Sequence, residues 1–380
     1  MTRAQRARGR ADMPRGEGER PLVLSGGGGL LQDPFDARDP VWSLGQNTGN
    51  LLFMSALRRI FPAAVFPHDY RARGIDVAAF RYIVTSDLIW INPNECFPAL
   101  EQLLDDTAAP VIPISVGLQA PSYDFPFPLH PRTVRLLSRL QERALLGARG
   151  EYTAEVLAAH GIRNVQPVGC PSLYWPMRRS FRVERRAGGG PCAGGESGAG
   201  VEVGAGGEAL CAAANFRTFY GSATPAERAF LRWCARYGLR FVEQTQLPLT
   251  ADFWGGEGED FARVRAYLDV RRALFAGEKE WRAAMAAYHF SIGMRFHGNV
   301  MAVRAGVPAL FLRHDARTAE MIDFFRLPSM ESERFDEDLP IEAYYERADY
   351  RPFNAAYPAR FDAFLSFLRA NGLAVRADVD

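Results

Sequence analysis

A stretch that cannot pack divides this chain. Residues 184–208, ERRAGGGPCAGGESGAGVEVGAGGE, are glycine-rich and almost free of large apolar side chains. Such a segment buries too little surface to offset the entropy of ordering it, so it is expected as an inter-domain linker or a long surface loop. The same rhythm runs on either side of it. Before it, PLVLSGGGGLL, RYIVTSDLIWIN, APVIPISVGL and ALLGARG read as short buried strands, and LLFMSALRRIF, PRTVRLLSRLQER and EYTAEVLAAHG have helical spacing. After it come ALCAAANF, PAERAFLRWCARYG, LRFVEQT, EKEWRAAMAAYH, FSIGM, GNVMAVRAG and VPALFLRHD. Strands alternating with helices of this length predict βαβ units and parallel sheets, an α/β chain in two lobes. The expected boundaries are 21–183 and 209–345. A disordered arm is expected over 1–20, and a closing helical segment over 346–380, interrupted by Pro358. The basic run RRSFRVERR, Arg178–Arg186, reads as solvated linker.

Composition removes several functions. With 48% apolar and 23% charged residues, the 380-residue chain has the make-up of a soluble globular protein. A net charge of +1 supplies no general field for nucleic acid or an anionic membrane. The N-terminus lacks the apolar core of a signal peptide, and no run of about 18 apolar residues could span a bilayer. Five scattered cysteines without CxxC spacing point to a reducing compartment and a cytoplasmic protein. No HExxH, carboxylate cluster or His/Cys spacing suggests a metal, and a GxSxG elbow is absent.

In open parallel sheets, ligands bind beyond the carboxyl ends of the strands. Three segments there carry unusual polar groups. In SGGGG, Gly27 and Gly28 allow a ligand to approach the backbone, although a tight turn explains them equally well. In GQNTGNLLF, Asn47, Gly49 and Asn50 precede a helix, where they either cap its first turn or face an anion. In SIGMRFHGNV, Arg295 offers a planar fork for phosphate or carboxylate, and His297 can exchange a proton. Gly298 and Asn299 would complete an anion pocket at the start of the next helix. Arg149 ends another strand, and Arg317 and Glu320 follow the strand that ends at Arg313, His314 and Asp315. Together these arginines suggest a site for an anion carrying more than one charge. His68, His130, His160 and His289 lack such a setting and read as structural.

Taken in order, LSGGGGLL, QNTGN, ARGEYTAEVLAAHGI, VGCPSLYW, RFHGNVMAVRAGVP and HDART resemble the polysaccharide pyruvyl transferase family. The resemblance runs from about residue 22 to about residue 328. It implies two Rossmann-like lobes similar to GT-B glycosyltransferases, with a cleft between them. It also implies transfer of a pyruvyl group from phosphoenolpyruvate to sugar hydroxyls as a ketal, on a glycan or lipid-linked glycan precursor, without a further cofactor. By the same analogy Arg149, Arg295 and His297 surround the donor, with His297 as acid or phosphate ligand. The chain departs from the family pattern at Asn50 and Cys170, where many members carry Asp, and at Arg317, a frequent Lys. Two other functions fit the residues: a glycosyltransferase using a nucleotide-sugar donor, and a non-catalytic glycan- or anion-binding protein.

Overall fold

The computed structural model describes residues 20–24, 41, 44–67, 75–185, 210–373 and 375. Residues 1–19 of the expected N-terminal arm, Gly27 and Gly28, His68 and nearly all of the glycine-rich segment lie outside the described residues.

The first lobe runs β1 (Leu22–Leu24), α1 (Asn50–Ile60), β2 (Ile83–Thr85), α2 (Pro98–Asp106), β3 (Val111–Pro113), α3 (Pro131–Gln141), β4 (Leu146–Ala148), α4 (Glu151–Ala159) and β5 (Val165–Pro167). Strands β1, β2 and β3 pair in parallel in that order, and β4 pairs in parallel with β5. A parallel bridge from Val116 to Ala148 joins the two sets, and Val65 bridges the free side of β1 at Leu22. Every residue of β1 to β4 is buried. Helices cover both faces of such a sheet, so its strands are continuously apolar rather than alternating.

The second lobe runs β6 (Ala212–Asn215), α5 (Pro225–Arg236), β7 (Arg240–Glu243), α6 (Ala251–Trp254), α7 (Glu259–Arg271), β8 (Arg272–Leu274), α8 (Glu278–Met285), β9 (Phe290–Gly293), α9 (Phe296–Arg304), β10 (Ala309–Arg313), α10 (Ala316–Phe325), β11 (Ser329–Glu331) and α11 (Ile341–Arg347). Its sheet has the order β11-β10-β9-β6-β7-β8, with all neighbours parallel. The chain first winds from β6 outward to β8, then returns to the other side of β6 through β9. Connections leave in opposite directions at the β6/β9 boundary and open a crevice there, beyond Asn215 and Gly293.

The α/β expectation holds for both lobes, with local differences. The pair α7 and β8 escaped the sequence because charged residues flank the narrow apolar face of α7 and β8 is only three residues long. The closing helix α12 (Arg351–Ala370) runs through Pro358 without a break. It buries Phe353, Tyr357, Phe361, Phe364, Leu365, Phe367 and Leu368, and that packing outweighs the roughly 3 kcal/mol of an internal proline. It also returns to the first lobe. Tyr357 donates to Leu173 O at 3.1 Å, Gln166 to Ala363 O at 3.0 Å, and Asn371 exchanges hydrogen bonds with the backbone of Leu145. The basic run expected as solvated linker is instead docked on α12 through its middle. Asn354 bonds both Val183 N and Val183 O, and Phe181 packs edge-on against Phe353 and Tyr357. Cys96, Cys170 and Cys234 are free, whereas Cys211 is disulfide-bonded, which the cysteine spacing did not announce. Among the described residues no helix is long and apolar enough to cross a membrane.

One charged side chain ties the lobes together at depth. Arg304, at the end of α9, is buried; its Nε donates to Ser172 O at 2.8 Å and its Nη1 to Ser55 Oγ at 3.0 Å, with Leu52 O as a third acceptor. Ser55 and Leu52 lie on α1 of the first lobe. Burial lowers the Arg304 pKa to about 9, so the group still carries its charge at neutral pH. Arg304→Ala would remove from the interior the donor that Ser172 O, Ser55 Oγ and Leu52 O share. We expect a stability loss of about 3 kcal/mol, read as a lower urea midpoint with an unchanged slope.

Candidate active site

At the β6/β9 crevice lies a cavity of about 310 Å³ with walls from both lobes. The first lobe contributes Asn47, Asn50, Ile89, Trp90 and Arg149; the second contributes Arg217, Thr218, Gln244, Arg295, His297, His314 and Arg317. Strand ends position most of these groups. Arg149 follows β4, Gln244 follows β7, Arg295 and His297 follow β9, and His314 follows β10.

The junction after β9 is built from buried amides. Asn215 Oδ1 accepts from Arg295 N at 2.8 Å, and Asn215 Nδ2 donates to Asn299 Oδ1 at 2.7 Å. Ser291 Oγ donates to the same Asn299 oxygen at 2.9 Å, while Asn299 Nδ2 donates to Gly293 O at 2.9 Å and Leu310 O at 3.4 Å. Asn299 was expected to meet the anion; it is fully buried with its amide engaged, and instead sets the path of the chain. Gly49 and Gly298 also differ from expectation. The space above both is filled by the Gln244 side chain rather than left for a ligand. A Cβ on Gly298 would lie 2.7 Å from Gln244 Nε2, and one on Gly49 would collide with Gln244 Oε1. Gln244 O accepts from Thr48 N at 2.9 Å, so this residue bridges the starts of α1 and α9.

The arginines differ in what they have left to offer. Arg217 spends all five donors locally, on Glu227 Oε1 and Oε2 and on the carbonyls of Thr218, Tyr220 and Ser222. Glu227 is itself held in the capping box of α5 with Thr224. Arg295 Nη2 donates to Thr218 Oγ1 at 2.6 Å and Thr245 Oγ1 at 2.7 Å, while its Nε is shielded from solvent with no partner among the described residues. Among the described residues Arg149 makes a single side-chain hydrogen bond, a long one of 3.4 Å from its Nε to Ser115 Oγ. Ser115 has φ of 67°, a left-handed conformation that strains a non-glycine residue beside the site. Arg317 reaches Asp315 Oδ2 at 3.3 Å. Arg149, Arg295 and Arg317 therefore present unused donors to one cavity.

The charges repel one another. Burial lowers Arg149 and Arg295 to about 10 each, and Arg317 adds to both shifts. Both stay charged at neutral pH. His297 is lowered well below its ordinary value, first by burial and then by Arg149, Arg304, Arg317 and Arg295, so the imidazole is neutral. Its Nε2 lies 3.6 Å from Cys170 Sγ, which accepts from Ser172 Oγ at 3.1 Å. Burial alone would raise Asp315, but Arg317, His314 and hydrogen bonds from Thr318 hold it below the usual carboxylate range. The part of these lowerings that comes from neighbouring cations is repulsion that an anion in the cavity would relieve.

Other expected residues lie elsewhere. Glu320 is not on the cavity wall; its carboxylate accepts from Thr153 N at 2.6 Å and Thr153 Oγ1 at 2.7 Å, capping the first turn of α4 from outside the helix. Arg313 turns away to Asp323 and to Ser329 Oγ at 2.9 Å. His130, His160 and His289 bond backbone groups at 3.1, 3.0 and 3.1 Å. Arg217 and Gln244 were missed, although each sits within two residues of a strand end in ANFR and VEQT. Among the described residues, no group of three or more His, Cys, Asp or Glu is arranged to hold a metal.

The family model for polysaccharide pyruvyl transferase matches residues 47–316, from Asn47 on the first lobe to Ala316 at the start of α10. The chain belongs to the polysaccharide pyruvyl transferase family. No curated protein matches it. Similar solved structures include a functionally uncharacterised protein of Klebsiella pneumoniae, 9% identical with a TM-score of 0.42 over 81% of this chain and 88% of that one. A UDP-GlcNAc 2-epimerase of Neisseria meningitidis bound to UDP-GlcNAc is 13% identical, with a TM-score of 0.41 over 89% of this chain and 83% of that one. A putative UDP-N-acetylglucosamine 2-epimerase of Listeria monocytogenes is 12% identical, with a TM-score of 0.45 over 86% of this chain and 80% of that one. In this family member Arg149, Arg295 and His297 share one cavity, and Cys170 lies beside the imidazole.

Glu320 supplies a pH test. Burial raises its pKa to about 7, above that of an unfolded glutamate near 4.5. A raised acid favours the folded state while protonated, so its stabilising contribution is complete below pH 4.5 and fades as pH climbs through 7. Glu320→Gln removes this titration. Wild type should lose about 3 kcal/mol relative to the variant between pH 4.5 and 7.5, measured by urea denaturation.

Proposed function

We propose that this chain transfers the pyruvyl group of phosphoenolpyruvate to two hydroxyls of a sugar, releasing phosphate and leaving a cyclic ketal on a glycan or its lipid-linked precursor. The observation that carries this reading is the convergence of Arg149, Arg295 and Arg317 with His297 on one cavity of about 310 Å³. That size lies at the low end of small-molecule sites, which span about 300–1,000 Å³. Phosphoenolpyruvate is small, and its phosphate and carboxylate suit several guanidinium forks. The cytoplasm, where glycolysis makes this donor, is the compartment the reading assigns.

The chemistry balances with the chain's own groups. A proton reaches the methylene carbon of the donor, the second carbon gains oxocarbenium character, a first sugar hydroxyl adds, phosphate departs, and a second hydroxyl closes the ring. Two hydroxyl protons are lost; one is matched at the new methyl group and one on the leaving phosphate. Arg149, Arg295 and Arg317 hold the anionic groups and neutralise the phosphate as it leaves. His297 starts neutral. Burial is the first cause of that neutrality and the arginines add to it; a multiply charged anion offsets the arginines' share, and His297 takes up the proton that it delivers in the reaction.

Two experiments test this. Phosphoenolpyruvate should raise the melting temperature, since a ligand of the native state stabilises it, and phosphate release should appear with a galactoside or mannoside acceptor. Arg149→Ala and Arg295→Ala should each lower kcat/KM by about 10²–10³-fold. Stabilisation by a nucleoside diphosphate and none by phosphoenolpyruvate would favour the nucleotide-sugar reading. Binding that Arg295→Ala weakens, with no turnover on any acceptor, would favour a non-catalytic binding protein. The second experiment is calorimetry in buffers of different ionisation enthalpy. Donor binding at pH 6.5 should consume protons, affinity should fall as pH rises, and His297→Asn should abolish the proton uptake.

A further inference from the structure

Acid–base chemistry needs groups that exchange protons near neutral pH, and the cavity wall supplies two imidazoles for it. Among the described residues that line the cavity there is no carboxylate, lysine, tyrosine or cysteine. Its arginines do not give up protons, and its amides and hydroxyls do not titrate in this range. His297 is the first carrier. The second, His314, directly follows β10 and has no part in the steps described so far. Its Nδ1 is shielded from solvent and makes no hydrogen bond of ordinary geometry among the described residues. Its Nε2 lies 3.5 Å from Asp315 Oδ2, and 17% of the side chain remains accessible. Asp315 is fixed in turn. Its Oδ1 accepts from Thr318 N at 2.8 Å, capping α10, and its Oδ2 accepts from Arg317 at 3.3 Å. Asp315 is not on the cavity wall, so the imidazole is the member of the pair that reaches the cavity.

The two imidazoles stand in different company. His297 feels Arg149, Arg304, Arg317 and Arg295, whereas His314 feels Asp315, Arg317 and Arg217. Arg317 is common to both, which sets the rings on two sides of it, one among cations and the other with a carboxylate behind it. Burial lowers the His314 pKa, Asp315 opposes this, Arg317 adds to it, the Leu312 backbone opposes it and Arg217 adds again. His314 is therefore neutral at neutral pH and able to accept a proton. Environments that differ in this way separate an acid from a base.

We propose that His314, backed by Asp315, is the general base that activates the sugar hydroxyls. A neutral ring whose shielded Nδ1 holds its proton presents a lone pair at Nε2. Nε2 takes the proton of the first hydroxyl as that oxygen bonds to the second carbon of the donor. It returns this proton to the phosphate oxygen as the carbon–oxygen bond to phosphate breaks. It then takes the proton of the second hydroxyl as the ring closes and releases it to solvent, which matches the proton that His297 drew from solvent. Each imidazolium formed at Nε2 lies beside Asp315 Oδ2. This inference rests on the pyruvyl-transfer reading.

The test measures kcat/KM for an acceptor glycoside at saturating phosphoenolpyruvate as a function of pH. Wild type should give a bell, with an acid limb from His314 and an alkaline limb from His297. His314→Gln should lower kcat about 10²–10³-fold and lose the acid limb. Phosphoenolpyruvate should still raise its melting temperature, and proton uptake on donor binding should persist, unlike in His297→Asn. Asp315→Asn can keep the cap of α10, and its acid limb should move to lower pH because the group that favours a charged imidazole is gone. Should His314→Gln fail to fold, the limb of Asp315→Asn decides. Turnover by His314→Gln equal to wild type would overturn the proposal. So would loss of donor stabilisation in His314→Gln, or an acid limb that Asp315→Asn leaves in place. No phosphate release by wild type with any acceptor would defeat the pyruvyl-transfer reading, and the role of His314 with it; an active wild type with an equally active His314→Gln defeats that role alone.

Discussion

Two helices, one from each lobe, begin at the same place, and the side chain of Gln244 fills the gap between them. Its amide lies over Gly49 before α1 and over Gly298 in the first turn of α9, and its carbonyl accepts from Thr48 N. Helix N-termini carry partial positive charge, so bringing two together beside three arginines is unfavourable without an anion. The fold makes the arrangement anyway because the cost is met elsewhere. Arg304 binds the backbone of α1, and α12 crosses back to cover the first lobe with a row of aromatic side chains. The electropositive cavity is therefore a consequence of how the lobes are joined.

The protonation state of His297 follows from that joining. A half-buried imidazole beside a thiol would titrate nearer its ordinary range if the neighbouring charges were balanced. Burial holds it down first and four arginines add to this, Arg304 among them, although Arg304 serves the lobe contact and does not line the cavity. A structural charge and a binding charge thus act on the same proton. Cys170 fits this pattern, since a carboxylate in its place would offset part of the repulsion and favour the charged imidazole.

The fold class was legible because buried parallel strands are continuously apolar and the intervening helices are amphipathic, as in PAERAFLRWCARYG. The positions of Arg149, Arg295, His297 and Arg317 were legible for a different reason: polar groups directly after buried strands have few structural uses. The same rule covers Arg217 and Gln244, which were passed over because neither stands in a motif. What could not be read was which polar group faces the cavity and which faces the core. Asn299 and Asn47 look alike in sequence, yet the first closes a buried amide network while the second borders the cavity. Glu320 reads as a ligand of the site until its distance to Thr153 makes it the cap of a neighbouring helix. Such assignments depend on contacts between residues more than 80 positions apart, which no local pattern encodes.

The joining of the lobes also bears on how the site operates. Chains with a cleft between two lobes can close on their ligands, but closure requires a contact between lobes that is small and polar. Here one hydrophobic cluster runs without interruption from Val23 and Leu52 of the first lobe through Val300 and Phe311 of the second to Phe367 of α12. Opening it would expose apolar surface at about 25 cal/mol per Å² and strip Arg304 of its acceptors. The lobes accordingly stay fixed, and Arg149 and Arg295 hold their relative positions before any ligand arrives. Catalysis by positioned charge needs that rigidity, because dipoles and charges that must reorganise during the reaction surrender much of their effect.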